Sequence, residues 1–205
     1  TKGAFNLEYT KEYSEGEVLI NVDLYNEIYT VEDWYEMKKK GSENYKIMAN
    51  LDFKNADPKQ YAGINLYGIL DGMEHSIQNM YIPKTLFENI GSKTVIKNLN
   101  IKNYNFESKT SFYVGIIGYG NGLTLKNVNI DTANIISSGG SIGGVIGNSN
   151  NYEFEDLTLN NINILVKDAK SPTVGGLVGG GIGNINNIYI NNVNIKVENI
   201  SESAK

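Results

Sequence analysis

Cysteine is absent, so the chain can build neither a disulfide framework nor a cysteine-based zinc site. Arginine is absent as well: all 18 basic residues are Lys, set against 23 acidic ones for a net charge of −5. A nucleic-acid surface wants clustered Lys and Arg, so that class of partner is disfavoured. The single histidine, His75, cannot supply the paired histidines of a zincin helix, and Ser76 stands where that motif needs Glu. No serine sits in a nucleophile elbow, so His75 reads as a turn or structural residue. No apolar run reaches the roughly 18 residues that a membrane-spanning helix needs. The chain opens on Thr1 with no signal sequence and reads as an excised piece of something longer.

Glycine and asparagine are abundant instead, with 22 Gly and 30 Asn in 205 residues. The densest stretch is "TVGGLVGGGIGN", Thr173 to Asn184. It is no phosphate loop, because no glycine in the chain is followed by the Lys of a Walker motif. Nor is it a dinucleotide fingerprint: counting from Gly179 and Gly181, the third glycine position holds Asn184. It does belong to a series. "GIIG", "GVIG" and "GLVG" place aliphatic pairs between Gly115 and Gly118, Gly144 and Gly147, and Gly176 and Gly179. A second element reads aliphatic-x-Asn/Asp-aliphatic-x-aliphatic: "IQNMYI", "IKNLNI", "LKNVNI", "FEDLTL" and "INNIYI". Its polar residues Asn79, Asn98, Asn127, Asp156 and Asn187 are spaced 19, 29, 29 and 31 residues apart. Periods of this size mark solenoids, propellers or arrays.

Alternation around each copy turns Ile96, Leu99 and Ile101, then Leu125, Val128 and Ile130, toward one face. The expected fold is mostly β: a right-handed parallel β-helix over residues 30–205. Glycines let adjacent runs approach, and a loop or two-strand excursion leaves each coil, with "SSGGS" and "KDAKSP" as the candidates. The repeated Asn has two structural roles open to it. Amides stacked at about 4.8 Å can form a ladder, and Asn tolerates the left-handed backbone of a coil corner. "TVEDWYEMKKKG" predicts a short helix over about 30–41 that covers one end, with Thr30 as N-cap, Lys38 to Lys40 in the last turn and Gly41 at the C-cap. Residues 1–29 read as short strands trailing from a preceding module.

Chemistry-bearing groups are sparse. Asp52, Asp57, Asp71, Glu74, Asp131, Glu153, Glu155 and Asp168 are scattered, and most fall at predicted turns. A glycosidase needs two carboxyls across one bond, and Ca²⁺ needs clustered oxygen ligands, for which no EF-hand spacing exists. Tyr104, Phe106, Phe112, Tyr113 and Tyr119 fall within sixteen positions. An exposed row of such rings could stack on sugars or anchor a protein, while the plainer reading is packing at the coil edge.

"NYKIMANLDF", "YGILDGMEHSIQNMYI", "LFENIG", "IKNLNI" and the glycine series resemble the GLUG-type repeats of bacterial surface proteins. With the lead-in "YTVEDWYEMKK", their order is more similar to the N-terminal β-helical region of the Gram-positive zinc metallopeptidases that include the IgA1 proteases, over about residues 25 to 200. The resemblance implies a secreted, cell-wall-associated parent whose zinc site lies in a separate C-terminal domain with H-E-x-x-H and a distant Glu. None of those residues occurs here, so no catalytic, cofactor or metal position carries over. It implies a non-catalytic accessory or substrate-recognition role, with partners among the parent's other domains and host immunoglobulin. An adhesin repeat that binds host protein or glycan is the alternative, and a polysaccharide-cleaving enzyme the third.

Overall fold

A computed structural model describes residues 24–199, and the strands expected within residues 1–23 lie outside the described residues. Of the described residues 64% are strand and 7% helix, wound into a parallel β-solenoid of about 5 turns. The first strand, Tyr25–Ile28, already pairs in parallel with Asn44–Ile47. The solenoid therefore begins ahead of the boundary that the sequence placed at residue 30.

Helix α1 (Val31–Lys39) follows the first strand and packs against it, Ile64–Leu66 and the short helix Pro58–Tyr61. Thr30 caps it: its hydroxyl accepts from the Asp33 N–H at 3.2 Å, and Asp33 accepts from the Thr30 N–H at 2.9 Å. Burial alone would raise the Asp33 carboxyl, but the bonds from Tyr29 and Thr30 outweigh it and hold it below its usual range. Trp34 and Met37 are fully buried. The Trp34 indole N–H reaches the carbonyl of Tyr61 in α2 (Pro58–Tyr61) at 3.1 Å, and its ring meets Phe53 edge-on at 5.5 Å. Gly41 is not the C-cap that the sequence suggested. Lys40 is the C-cap, and Gly41 is needed because a Cβ there would lie 1.8 Å from the Asn65 carbonyl oxygen.

Long strands carry the later coils: Val95–Ser108, Leu123–Ser137, Ile146–Lys167 and Val178–Glu198. Their pairing sets like on like. Leu125 pairs with Ile96 and Phe154, and Val128 with Leu99 and Leu157. All six of these side chains are buried.

Within a strand, buried positions recur every second residue, but Leu125 to Val128 and Ile130 to Ala133 are three apart. The extra residue in each gap has a left-handed backbone, with φ of 51° at Asn127 and 65° at Thr132. It absorbs the turn and returns the inward face to the inside. Two such corners recur from coil to coil along the long strands. Asn98, Asn127, Asp156 and Asn187 (φ 51 to 54°) form one column. Asn79, Asn103, Thr132, Asn161 and Asn192 (φ 52 to 65°) form the other. Asn79 therefore does not belong with Asn98, as the sequence grouping had it. Gln78 pairs with Lys102 and Met80 with Tyr104, which puts Asn79 beside Asn103, 24 residues on.

Both expected roles of Asn are met at once. The Asn127 amide donates to Asn98 at 3.0 Å, Asn103 to Asn79 at 3.0 Å, and Asn192 to Asn161 at 2.7 Å. Asn187 donates likewise to Asp156.

After the second corners at Asn103, Thr132 and Asn161 the chain makes an excursion. Tyr113–Val114, Ser141–Gly143 and Thr173–Gly175 stack as a small parallel sheet, then the chain turns back into the main sheet. The two layers touch backbone to backbone. A Cβ on Gly147 would lie 2.4 Å from the Val114 nitrogen, and one on Gly179 2.5 Å from the Ile142 nitrogen. Gly115, Gly118, Gly144 and Gly176 sit along this same edge, where a Cβ on Gly144 would lie 2.3 Å from the Gly176 carbonyl oxygen. The glycine series is thus an edge of close approach.

Two outcomes follow for urea denaturation. Asn127→Ala places an ordinary side chain at left-handed φ and loses about 1–2 kcal/mol, while Asn127→Gly loses about half as much. Equal losses would assign the cost to the amide ladder instead of the backbone. Thr132 is the β-branched exception in its column, so Thr132→Asn gains about 1 kcal/mol. A loss on that substitution would contradict the corner account.

Candidate binding groove

The five aromatics singled out in the sequence divide in two. Tyr104 and Phe106 take inward positions in Val95–Ser108 and are buried. The Tyr104 hydroxyl donates to the Gly115 carbonyl at 2.8 Å, and burial pushes its phenol far above the ordinary range. These two belong to the core and cannot form a partner surface, which corrects that part of the expectation.

Phe112, Tyr113 and Tyr119 face outward. The loop before them is braced: the Ser108 hydroxyl accepts from the N–H groups of Thr110 and Ser111, both at 3.3 Å. Phe112 is 64% exposed and Tyr113 37%. One side of the Phe112 ring lies over Gly140, where a Cβ would come within 2.4 Å of it. Phe112 and Tyr113 meet edge-to-face at 5.0 Å, and Tyr113 and Tyr119 lie 5.4 Å apart. The Tyr119 hydroxyl accepts from the Asn150 amide at 2.7 Å. These rings therefore form a supported shelf.

The shelf borders a groove of about 360 Å³. Lys84, Thr85, Glu88 and Asn89 line it together with Thr110, Ser111 and Gly118. A Cβ on Gly118 would meet the Glu88 carbonyl oxygen at 2.9 Å and the Thr85 hydroxyl at 3.1 Å, so glycine lets this strand sit close against that wall. Lys84 and Glu88 lie 3.9 Å apart and offset each other's charge.

The scattered carboxylates are mostly occupied with architecture. Asp57 caps α2 by accepting from the Lys59 N–H at 3.0 Å. Glu74 accepts from the Asn127 amide at 2.8 Å, and Glu155 pairs with Lys126 at 2.8 Å. Asp131 accepts from Asn161 at 3.5 Å, Asp168 has left-handed φ, and Glu153 is exposed. Asp52 and Glu32 do share a second pocket, of about 430 Å³, with Tyr35 and Lys54. The Asn79 amide and the Lys54 N–H hold the Asp52 carboxyl below its usual range. That suits an anchored carboxylate and not a proton donor. His75 sits in a turn, its N–H bonded to the Gly72 carbonyl at 2.8 Å. Among the described residues no group of three or more His, Asp or Glu is placed to hold a metal ion.

The groove wall of Lys84, Thr85, Glu88 and Asn89 was not foreseen. Glu88 and Asn89 fall in the repeat element "LFENIG", which signals the coil and not a surface, and they join the rings of the next coil only through winding. No family model matches the chain, and no curated protein or solved structure matches it either.

Asp71 gives the clearest pH dependence. Its side chain is 8% exposed and lies 3.3 Å from the Lys97 ammonium. Burial by itself would raise its carboxyl, but bonds from the Met73 N–H, Asn98 and Lys97 outweigh it, and the net shift is downward. A depressed folded value stabilises the fold above the unfolded value, and that stability is lost as pH falls through the folded value. Stability should hold from neutral pH to about 4 and then decline. Asp71→Asn should flatten that decline in urea melts taken between about pH 2 and 5. An unchanged acid limb would remove Asp71 from the account.

Proposed function

We propose that this chain is a non-catalytic recognition module of a secreted, cell-wall-associated zinc metallopeptidase resembling the IgA1 proteases. The zinc and its ligands belong to a separate catalytic domain of the parent, and this module presents the substrate or holds neighbouring domains. The observation that carries the reading is a braced aromatic groove on the flank of a rigid solenoid, built from side chains that the core does not use. A long solenoid flank suits extended partners, since each coil is fixed by its neighbours. The engagement of Asp52, Asp57, Asp71 and Glu74 in corners and caps supports binding over bond cleavage.

The adhesin reading shares the groove and differs in what the parent chain carries. Polysaccharide cleavage draws little support, because Glu88 is the carboxylate that lines the groove and a second one is needed opposite it.

The test uses the purified chain with immobilised IgA1 and with soluble IgA1 plus zinc. Binding without cleavage is expected, and Phe112→Ala with Tyr113→Ala should weaken it about tenfold or more, as truncation of a central aromatic pair does. Cleavage by the chain alone would overturn the reading. So would unchanged binding by the double variant.

A further inference from the structure

We infer that the groove between Phe112, Tyr113 and Lys84 to Asn89 is a binding site for a neutral saccharide. The inference rests on the recognition reading above and names the ligand class of that site.

The chemistry of the lining selects the class. A phosphate or polyanion would need clustered cations, yet the groove holds one Lys, and Glu88 lies 3.9 Å from it. A lipid tail would need an apolar trough, whereas Thr85, Asn89, Thr110 and Ser111 line this one with hydroxyls and an amide. An extended peptide could add a strand to the small sheet, whose outermost strand borders the groove. That strand is Tyr113–Val114, two residues long, too short to offer a row of backbone groups.

A neutral sugar ring fits what remains. Its C–H face is weakly positive and matches the negative face of an aromatic ring, and its rim of hydroxyls matches short neutral donors and acceptors. The exposed Phe112 ring, backed by Gly140, supplies the platform. Thr110 and Ser111, fixed by Ser108, line the groove with it, and so does the exposed Asn89, whose amide nitrogen donates to Asn65 at 2.7 Å and leaves its carbonyl oxygen to accept; Thr85 lies buried beneath them. Because the loop is braced before binding, little ordering entropy is left to lose.

The experiment is saturation-transfer NMR of the whole chain with neutral gluco-, galacto-, manno- and N-acetylhexosamine oligosaccharides. Uronic-acid and sialylated oligosaccharides serve as the charged comparison. Expected is transfer to one neutral series, with contacts from sugar C–H protons to the Phe112 ring. Phe112→Ala should weaken binding about tenfold or more, and Phe112→Tyr should keep it. Three results would overturn the inference: no neutral series binding, preference for the charged sugars, or sugar contacts away from Phe112. IgA1 binding that depends on Phe112 but survives removal of the immunoglobulin's glycans would also overturn it, while leaving the recognition reading in place.

Discussion

One backbone constraint governs this molecule: a chain that alternates in and out must turn a corner without turning its apolar face outward. A single left-handed residue solves it, and the three-residue steps from Leu125 to Val128 and from Ile130 to Ala133 are its trace. An ordinary L-residue pays about 1–2 kcal/mol at such φ, and Asn pays less because its short side chain bonds locally. Stacking then helps a second time. Stacked corner amides find partners, as Asn98 beneath Asn127, and where no corner Asn lies beneath, a neighbouring carboxylate such as Asp52 or Asp71 accepts instead. The corner amides occupy the outside and leave the inside to stacked aliphatics, with Ile101, Ile130 and Leu159 in register. The conformational preference, the polar ladder and the core thus agree, as expected of a sequence with one favoured structure.

The architecture was legible because this constraint writes itself into the sequence every turn. The alternation gave the buried faces, the Asn columns gave the corners, and "SSGGS" gave the excursion into Ser141–Gly143. What misled was that each coil carries the corner motif twice. "IKNLNI" from Ile96 and "IKNYNF" from Ile101 both fit it, five residues apart, so Asn79 was grouped with the wrong column. The odd spacing of 19 was the trace of that error, for Asn79 lies 24 residues from its true partner Asn103. Local pattern names a corner but cannot say which corner; only pairing across coils does.

The candidate groove was half legible for the same reason. Phe112, Tyr113 and Tyr119 stood out as aromatics, but Tyr104 and Phe106 stood out equally and went inside. The difference lies in the strand's phase: Tyr104 and Phe106 fall on the inward alternation of Val95–Ser108, whereas Phe112 follows the Ser108 turn and escapes it. The opposite bank could not be read locally, since "LFENIG" marks Glu88 as part of the repeat and Lys84 carries no motif.

Where the groove lies follows from the change in coil length. Between Asn79 and Asn103 the coil takes 24 residues, and from Asn98 to Asn127 it takes 29. Among the described residues, the shorter coil adds no strand to the small sheet, which starts at Tyr113–Val114. The first full excursion therefore stands out past the coil beneath it, and its free side opens over Lys84, Thr85, Glu88 and Asn89. In the next coil the same place is filled, because Ser141 pairs with Tyr113. A solenoid of identical coils would have stacked excursion on excursion and left no recess along its length. Here the irregular repeat makes the step, the step makes the groove, and the left-handed corners that hold both coils in register keep its two banks in place.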